Sequence, residues 1–159
     1  MSETLFGPVP HYLTTDDVYT PPHILERLDL DFDLDVCAPP GGLPWVPARR
    51  HYSVEDDGLT ASWDGLVWMN PPYSKPGPWI ARFLEHDQGV ALVPFAKSDW
   101  FLELWTRADA LAVPTRPDGS LQLNWIKNGR NDYAIFMPVV LAAMGDRAVK
   151  ALAAFGRVR

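Results

Sequence analysis

The feature that most constrains this chain is a short apolar run cut off by two prolines, Leu66-Val67-Trp68-Met69-Asn70-Pro71-Pro72-Tyr73. Four uncharged residues that include Val and Trp suit a strand buried in the middle of a sheet. Proline cannot donate to a strand ladder and holds its own φ, so Pro71-Pro72 force a stiff turn where the strand ends. In open α/β sheets, ligands bind at the carboxyl ends of strands. An amide, Asn70, and an aromatic, Tyr73, flank the turn.

Such a corner has a definite chemical capacity. The Asn70 side-chain carbonyl and the Pro71 main-chain carbonyl, held rigidly together, can accept both hydrogens of one planar NH2 group. Tyr73 can stack on the ring that carries it, at roughly 1–3 kcal/mol per base. The lone pair of an adenine amine is delocalised, and two accepted hydrogen bonds favour its more nucleophilic, pyramidal form. Without its context, the same tetrapeptide also reads as a plain strand-ending turn with Tyr73 packed at the rim.

Asn70-Pro71-Pro72-Tyr73 resembles the catalytic motif of amino-methyltransferases that use S-adenosylmethionine (SAM). The wider order is Tyr19-Thr20-Pro21, Asp33-Leu34-Asp35-Val36, Glu55-Asp56-Asp57-Gly58-Leu59 and then Trp68 to Tyr73. That order resembles the phage-type DNA N6-adenine methyltransferase (Dam) family, from about Asp16 to the last helix. The resemblance implies methyl transfer from SAM to N6 of an adenine flipped out of duplex DNA, in a phage-type role of DNA modification or protection. Asn70, Pro71, Pro72 and Tyr73 would then be catalytic, and no metal would be needed. It also implies a cofactor site drawn from Tyr19, Thr20, Pro21, Asp35, Cys37, Ala38, Asp57 and Leu59. The same tetrapeptide serves methylation of RNA adenine or of protein glutamine. A catalytically silent DNA- or partner-binding module of the same fold is the reading from a different class.

Along the chain, strands and helices alternate, with hairpin character late. This order predicts an α/β fold: a reduced Rossmann-like methyltransferase domain with a three-layer α/β/α sheet over residues 16–159. Residues 1–15 read as a flexible arm. Thr20 suits a helix N-cap, with proline in the first turn and Ile24, Leu25 and Leu28 on one face. Phe32, Leu34 and Val36 alternate with Asp31, Asp33 and Asp35, a period-2 strand whose acids read as a solvated side or, at Asp35, as a ligand group. The Pro/Gly-rich stretch 39–50 leaves little room for another helix and strand. Gly89 to Pro94, Ala108 to Val113 and Tyr133 to Ala143 are further strands, Ser98 caps a helix, and Asp146 to Phe155 closes the chain as a helix.

Charge complicates a DNA partner. The 159 residues carry a formal charge of −6, whereas affinity for nucleic acid comes largely from Lys and Arg on phosphates. Residues 1–95 hold 5 Lys/Arg against 14 Asp/Glu, and residues 96–159 hold 9 against 6. A DNA-facing surface is therefore expected mainly in the second part. Lys97, Arg116, Lys127 and Arg130 are its candidates, with Ser74 and Lys75 beside the diproline. Arg116 to Arg130, with Asn124, Trp125 and Asn128, reads equally as a DNA-contacting hairpin or a solvated one, and Lys97 equally as a phosphate ligand or a loop lysine. Whether a homodimer completes the DNA surface is left open. The single cysteine excludes an internal disulfide, and the lack of an apolar leader or bilayer-length run points to the cytoplasm.

Overall fold

The computed structural model describes residues 18–121, 123–127, 130–133, 138–156 and 158–159, with two short paired segments, Glu3–Thr4 and Gly7–Pro8. The side chains of residues 127 and 130–133 are outside that description, as is nearly all of the expected arm 1–15.

The main sheet uses β1 (Phe32–Asp35), β2 (Ala48–His51), β3 (Val67–Met69), β4 (Gly89–Pro94), β5 (Ala110–Ala112) and β8 (Val139–Met144). Their spatial order is β2-β1-β3-β4-β8-β5. The first four strands are mutually parallel, and β8 runs antiparallel to both its neighbours. A separate two-stranded hairpin is formed by β6 (Trp125–Lys127) and β7 (Arg130–Tyr133). Among the described residues the α-helices are α1 (Pro22–Leu28), α2 (Gly77–His86), α3 (Asp99–Arg107) and α4 (Asp146–Leu152).

The central strands are apolar on both faces because both are covered. On β3, Trp68 packs with α1 and α4 among Leu25, Leu28 and Leu152. Its neighbours Val67 and Met69 point to the other side, toward Ile80 and Phe83 of α2 and Leu104 of α3. All six residues of β4 are buried. This is the three-layer α/β architecture of a Rossmann-like methyltransferase. Ser98 caps α3 by accepting from the Phe101 N–H at 3.3 Å.

Several expectations need correction. Residues 39–50 do have room for a strand: β2 pairs in parallel with β1 and is reached by turns, without an intervening helix. The N-cap of α1 is Pro21, in extended conformation with no side-chain cap, because the Thr20 hydroxyl is occupied elsewhere. The long late strand is shorter than Tyr133 to Ala143: Tyr133 ends β7, and β8 begins at Val139. The closing helix tightens into a 3-10 turn at Ala153–Phe155.

β3 and β4 approach closely at one point. Gly89 pairs with Val67, and a Cβ on Gly89 would lie 2.5 Å from the Val67 carbonyl oxygen and 2.6 Å from its Cγ2. Gly89→Ala is expected to cost about 1–3 kcal/mol or more of stability by overpacking the core, read as a lowered urea midpoint at unchanged slope.

Candidate active site

The connections from β1 diverge: β2 lies on one side of it and β3 on the other. The crevice at the carboxyl ends of β1 and β3 is therefore the topological switch point of the sheet. Asp35 is the last residue of β1 and pairs with Trp68, and the Val36 N–H donates to the Trp68 carbonyl at 3.1 Å. Paired strands run about 4.8 Å apart, so Asp35 and the Asn70-Pro71-Pro72 turn leave the sheet side by side.

Asn70 is held by a residue far away in the chain. Its Nδ2 donates to the Thr20 hydroxyl oxygen at 3.1 Å. Its carbonyl oxygen is buried and has no hydrogen-bond partner among the described residues. A buried acceptor left unsatisfied costs about 1–3 kcal/mol. Pro71 is buried and Pro72 half-buried. Tyr73 is half-buried; its hydroxyl donates to the Leu92 carbonyl at 3.3 Å, and its ring meets Trp125 edge-on at 6.1 Å. Burial raises the phenol pKa well above its ordinary value, so it stays protonated.

On the other wall, Asp35 is 2% exposed and accepts from the Cys37 N–H at 3.2 Å. Beside it a cleft of about 120 Å³ is bounded by Gly41, Gly42, Leu43 and His51. Gly42 has φ +75°, and a Cβ there would come within 2.8 Å of the His51 ring. Ala38 is buried and Cys37 half-buried. The acidic turn reaches the same edge through Gly58, where a Cβ would lie 2.2 Å from the Val36 carbonyl. Asp57, at φ 53°, is exposed, and Leu59 is half-buried. Thr20 and Pro21 are buried and Tyr19 is half-buried, and Thr20 reaches the diproline corner through Asn70.

The proposed DNA contacts fall into three groups. Ser74, Lys75 and Lys97 are exposed or nearly so at the carboxyl edge. Arg116 is spent inside its own turn, donating to the Ser120 hydroxyl at 2.6 Å and pairing with Asp118 at 3.3 Å. Lys127 and Arg130 belong to β6 and β7, and their side chains are among those not described. Trp125 does not face solvent: it is 2% exposed and packs on Tyr73.

Across residues 12–139 the chain matches the family model of DNA N-6-adenine-methyltransferase (Dam). The chain belongs to the Dam family. A DNA N-6-adenine-methyltransferase of Haemophilus phage HP1 (strain HP1c1) is 40% identical over 77 residues, 45% of this chain and 43% of that relative. The match thus spans less than half of that relative's length. No solved structure matches the chain. Membership of a methyltransferase family implies a methyl-donor cofactor.

Three supports of this candidate site carry no motif signal. The Trp45 indole N–H donates to the Thr20 carbonyl at 2.9 Å. Arg82 donates to the carbonyls of Leu59 and Ala61 and lies 4.9 Å from the Trp63 ring centre, tying the acidic turn to α2. His51 occupies the end of β2, where the sequence shows only a loop. Among the described residues, no group of three or more His, Cys, Asp or Glu is placed to hold a metal ion, and no helix is long and apolar enough to cross a membrane.

Burial pushes the Asp35 carboxyl up to about 7, and the Cys37 N–H only partly opposes this. The folded protein therefore holds a proton that the unfolded chain releases near pH 4. Stability is lost as pH rises from about 4 to about 7 and then levels off. Asp35→Asn is expected to raise Tm at pH 8 and to change it little at pH 4, as read by calorimetry of the ligand-free protein.

Proposed function

We propose that this chain transfers a methyl group from SAM to the N6 amine of an adenine flipped out of duplex DNA. The observation that carries the reading is the buried, partnerless carbonyl oxygen of Asn70 at the switch point, one strand from a buried carboxylate. Membership of the Dam family supports adenine in DNA over RNA adenine or protein glutamine.

The residues present suit such a cofactor. Asp35 offers a buried carboxylate for its ammonium group or ribose hydroxyls, beside the cleft of about 120 Å³ bounded by Gly41, Gly42, Leu43 and His51. The main chain of Tyr19-Thr20-Pro21, together with Cys37, Ala38, Asp57 and Leu59, would line the rest. SAM, when bound, supplies an electrophilic methyl group. The protein's part is orientation. The Asn70 and Pro71 carbonyls accept from the adenine amine and aim its lone pair, while the Tyr73 ring stacks on the base. The adenine must leave the helix first, because inside a duplex its amine is paired. After transfer the amine returns its extra proton to solvent. Ser74, Lys75 and Lys97 would meet phosphates at the rim, with Lys127 and Arg130 contributing from the hairpin and Arg116 holding the shape of its own loop. Residues 16–159 would act as one methyltransferase domain in the cytoplasm, with a homodimer widening the DNA surface.

The test is transfer of a radiolabelled methyl group to duplex DNA, with RNA and glutamine peptides in parallel. Incorporation into DNA alone supports the reading, and none into DNA overturns it. Asn70→Ala is expected to cut turnover by about 100-fold or more and to keep SAM affinity, measured by calorimetry, within severalfold. Equal losses in both would assign Asn70 to the cofactor. Tyr73→Phe is expected to retain most activity because only a 3.3 Å bond to Leu92 is removed, whereas Tyr73→Ala is expected to weaken productive DNA binding.

A further inference from the structure

We infer that Thr20 is a positioning residue whose hydroxyl anchors the Asn70 side-chain amide by its NH2 end; the inference rests on the function proposed above. An amide can occupy its site in two ways related by a half-turn, which exchange its donor and acceptor ends. In one, a carbonyl oxygen faces the substrate amine. In the other, an NH2 group faces it and repels its hydrogens. Among the described residues, the Asn70 side chain makes one polar contact, Nδ2 to Thr20 Oγ1 at 3.1 Å. There the hydroxyl, which can donate or accept, accepts from Nδ2 and leaves the carbonyl oxygen, buried and without a partner among the described residues, as the free acceptor.

The mount is stiff. Thr20 is fully buried at 0% exposure. The Trp45 indole holds the Thr20 carbonyl at 2.9 Å. One residue earlier, Tyr19 exchanges two main-chain bonds with Ile126 of β6, at 2.8 Å and 3.0 Å. The orientation of Asn70 is thereby referred to a segment clamped between the β1–β2 loop and the late hairpin. Thr20 touches neither the base nor the transferred methyl; it acts through Asn70.

The test compares Thr20→Val, which keeps the shape and removes the hydroxyl, with Thr20→Ser, which keeps the hydroxyl. Thr20→Val is expected to lower kcat for transfer to duplex adenine by about 10–100-fold, with KM for SAM within twofold, and Thr20→Ser is expected to restore most of the loss. Asparagine-selective 15N labelling supplies a readout that needs no turnover, since the chain has only four asparagines. The side-chain NH2 signal absent from Asn70→Ala should exchange slowly in the native chain and in Thr20→Ser, and quickly in Thr20→Val. Unchanged kcat and unchanged exchange in a folded Thr20→Val would overturn the inference. So would a raised KM for SAM with kcat intact, which would make Thr20 a cofactor contact. If the native chain shows no transfer to DNA, the proposed function fails, and the amide exchange still decides the link between Thr20 and Asn70.

Discussion

The site depends on the parallel pairing of β1 with β3, in which the Val36 N–H meets the Trp68 carbonyl at 3.1 Å. Parallel strands end at the same edge of a sheet, so a shared register brings their last residues together. A slip of one residue would turn Asp35 toward the opposite face and separate it from Asn70. The register is held by side chains locked on both faces, Trp68 on one and Val67 and Met69 on the other. Pro71 and Pro72 then stop β3 from extending its ladder. Asn70 leaves the sheet as soon as the strand's apolar residues end.

Around this register the chain accepts local costs. Gly58 and Gly89 mark places where main chain approaches main chain too closely for a side chain. Asp35 is buried with a single N–H donor, and the Asn70 oxygen is buried with none. A fold selected for stability alone would bury apolar groups at such positions. Asp35 and Asn70 stand on neighbouring strands at the carboxyl edge of the sheet.

Much of this was legible in the primary structure because the relevant physics is local. Proline's missing N–H ends β3 wherever that strand is placed, and the apolar residues of Gly89 to Pro94 admit only a buried strand. The Ser98 cap follows from the identity of the residue and its position before an apolar stripe. Other features could not be read. Trp125 lies among Asn124, Lys127 and Asn128, a solvated neighbourhood by composition, yet it is buried because Tyr73, 52 positions earlier, provides the surface it packs on. The β2 strand, with Arg49, Arg50 and His51, lacks apolar alternation because it is an edge strand; parallel pairing to β1 makes it a strand.

Residue types and their order were enough to set the alternation of strands and helices, the rigid corner at the diproline, and the family to which the chain belongs. Folding in three dimensions decided which groups meet. Thr20 read as a helix cap while only its neighbours in the chain were in view, since a hydroxyl before a helix usually bonds to the first turn. Its partner is Asn70, fifty residues on. A hydrogen bond over that separation has no counterpart in any local pattern, and it forms only because the sheet carries both segments to one edge.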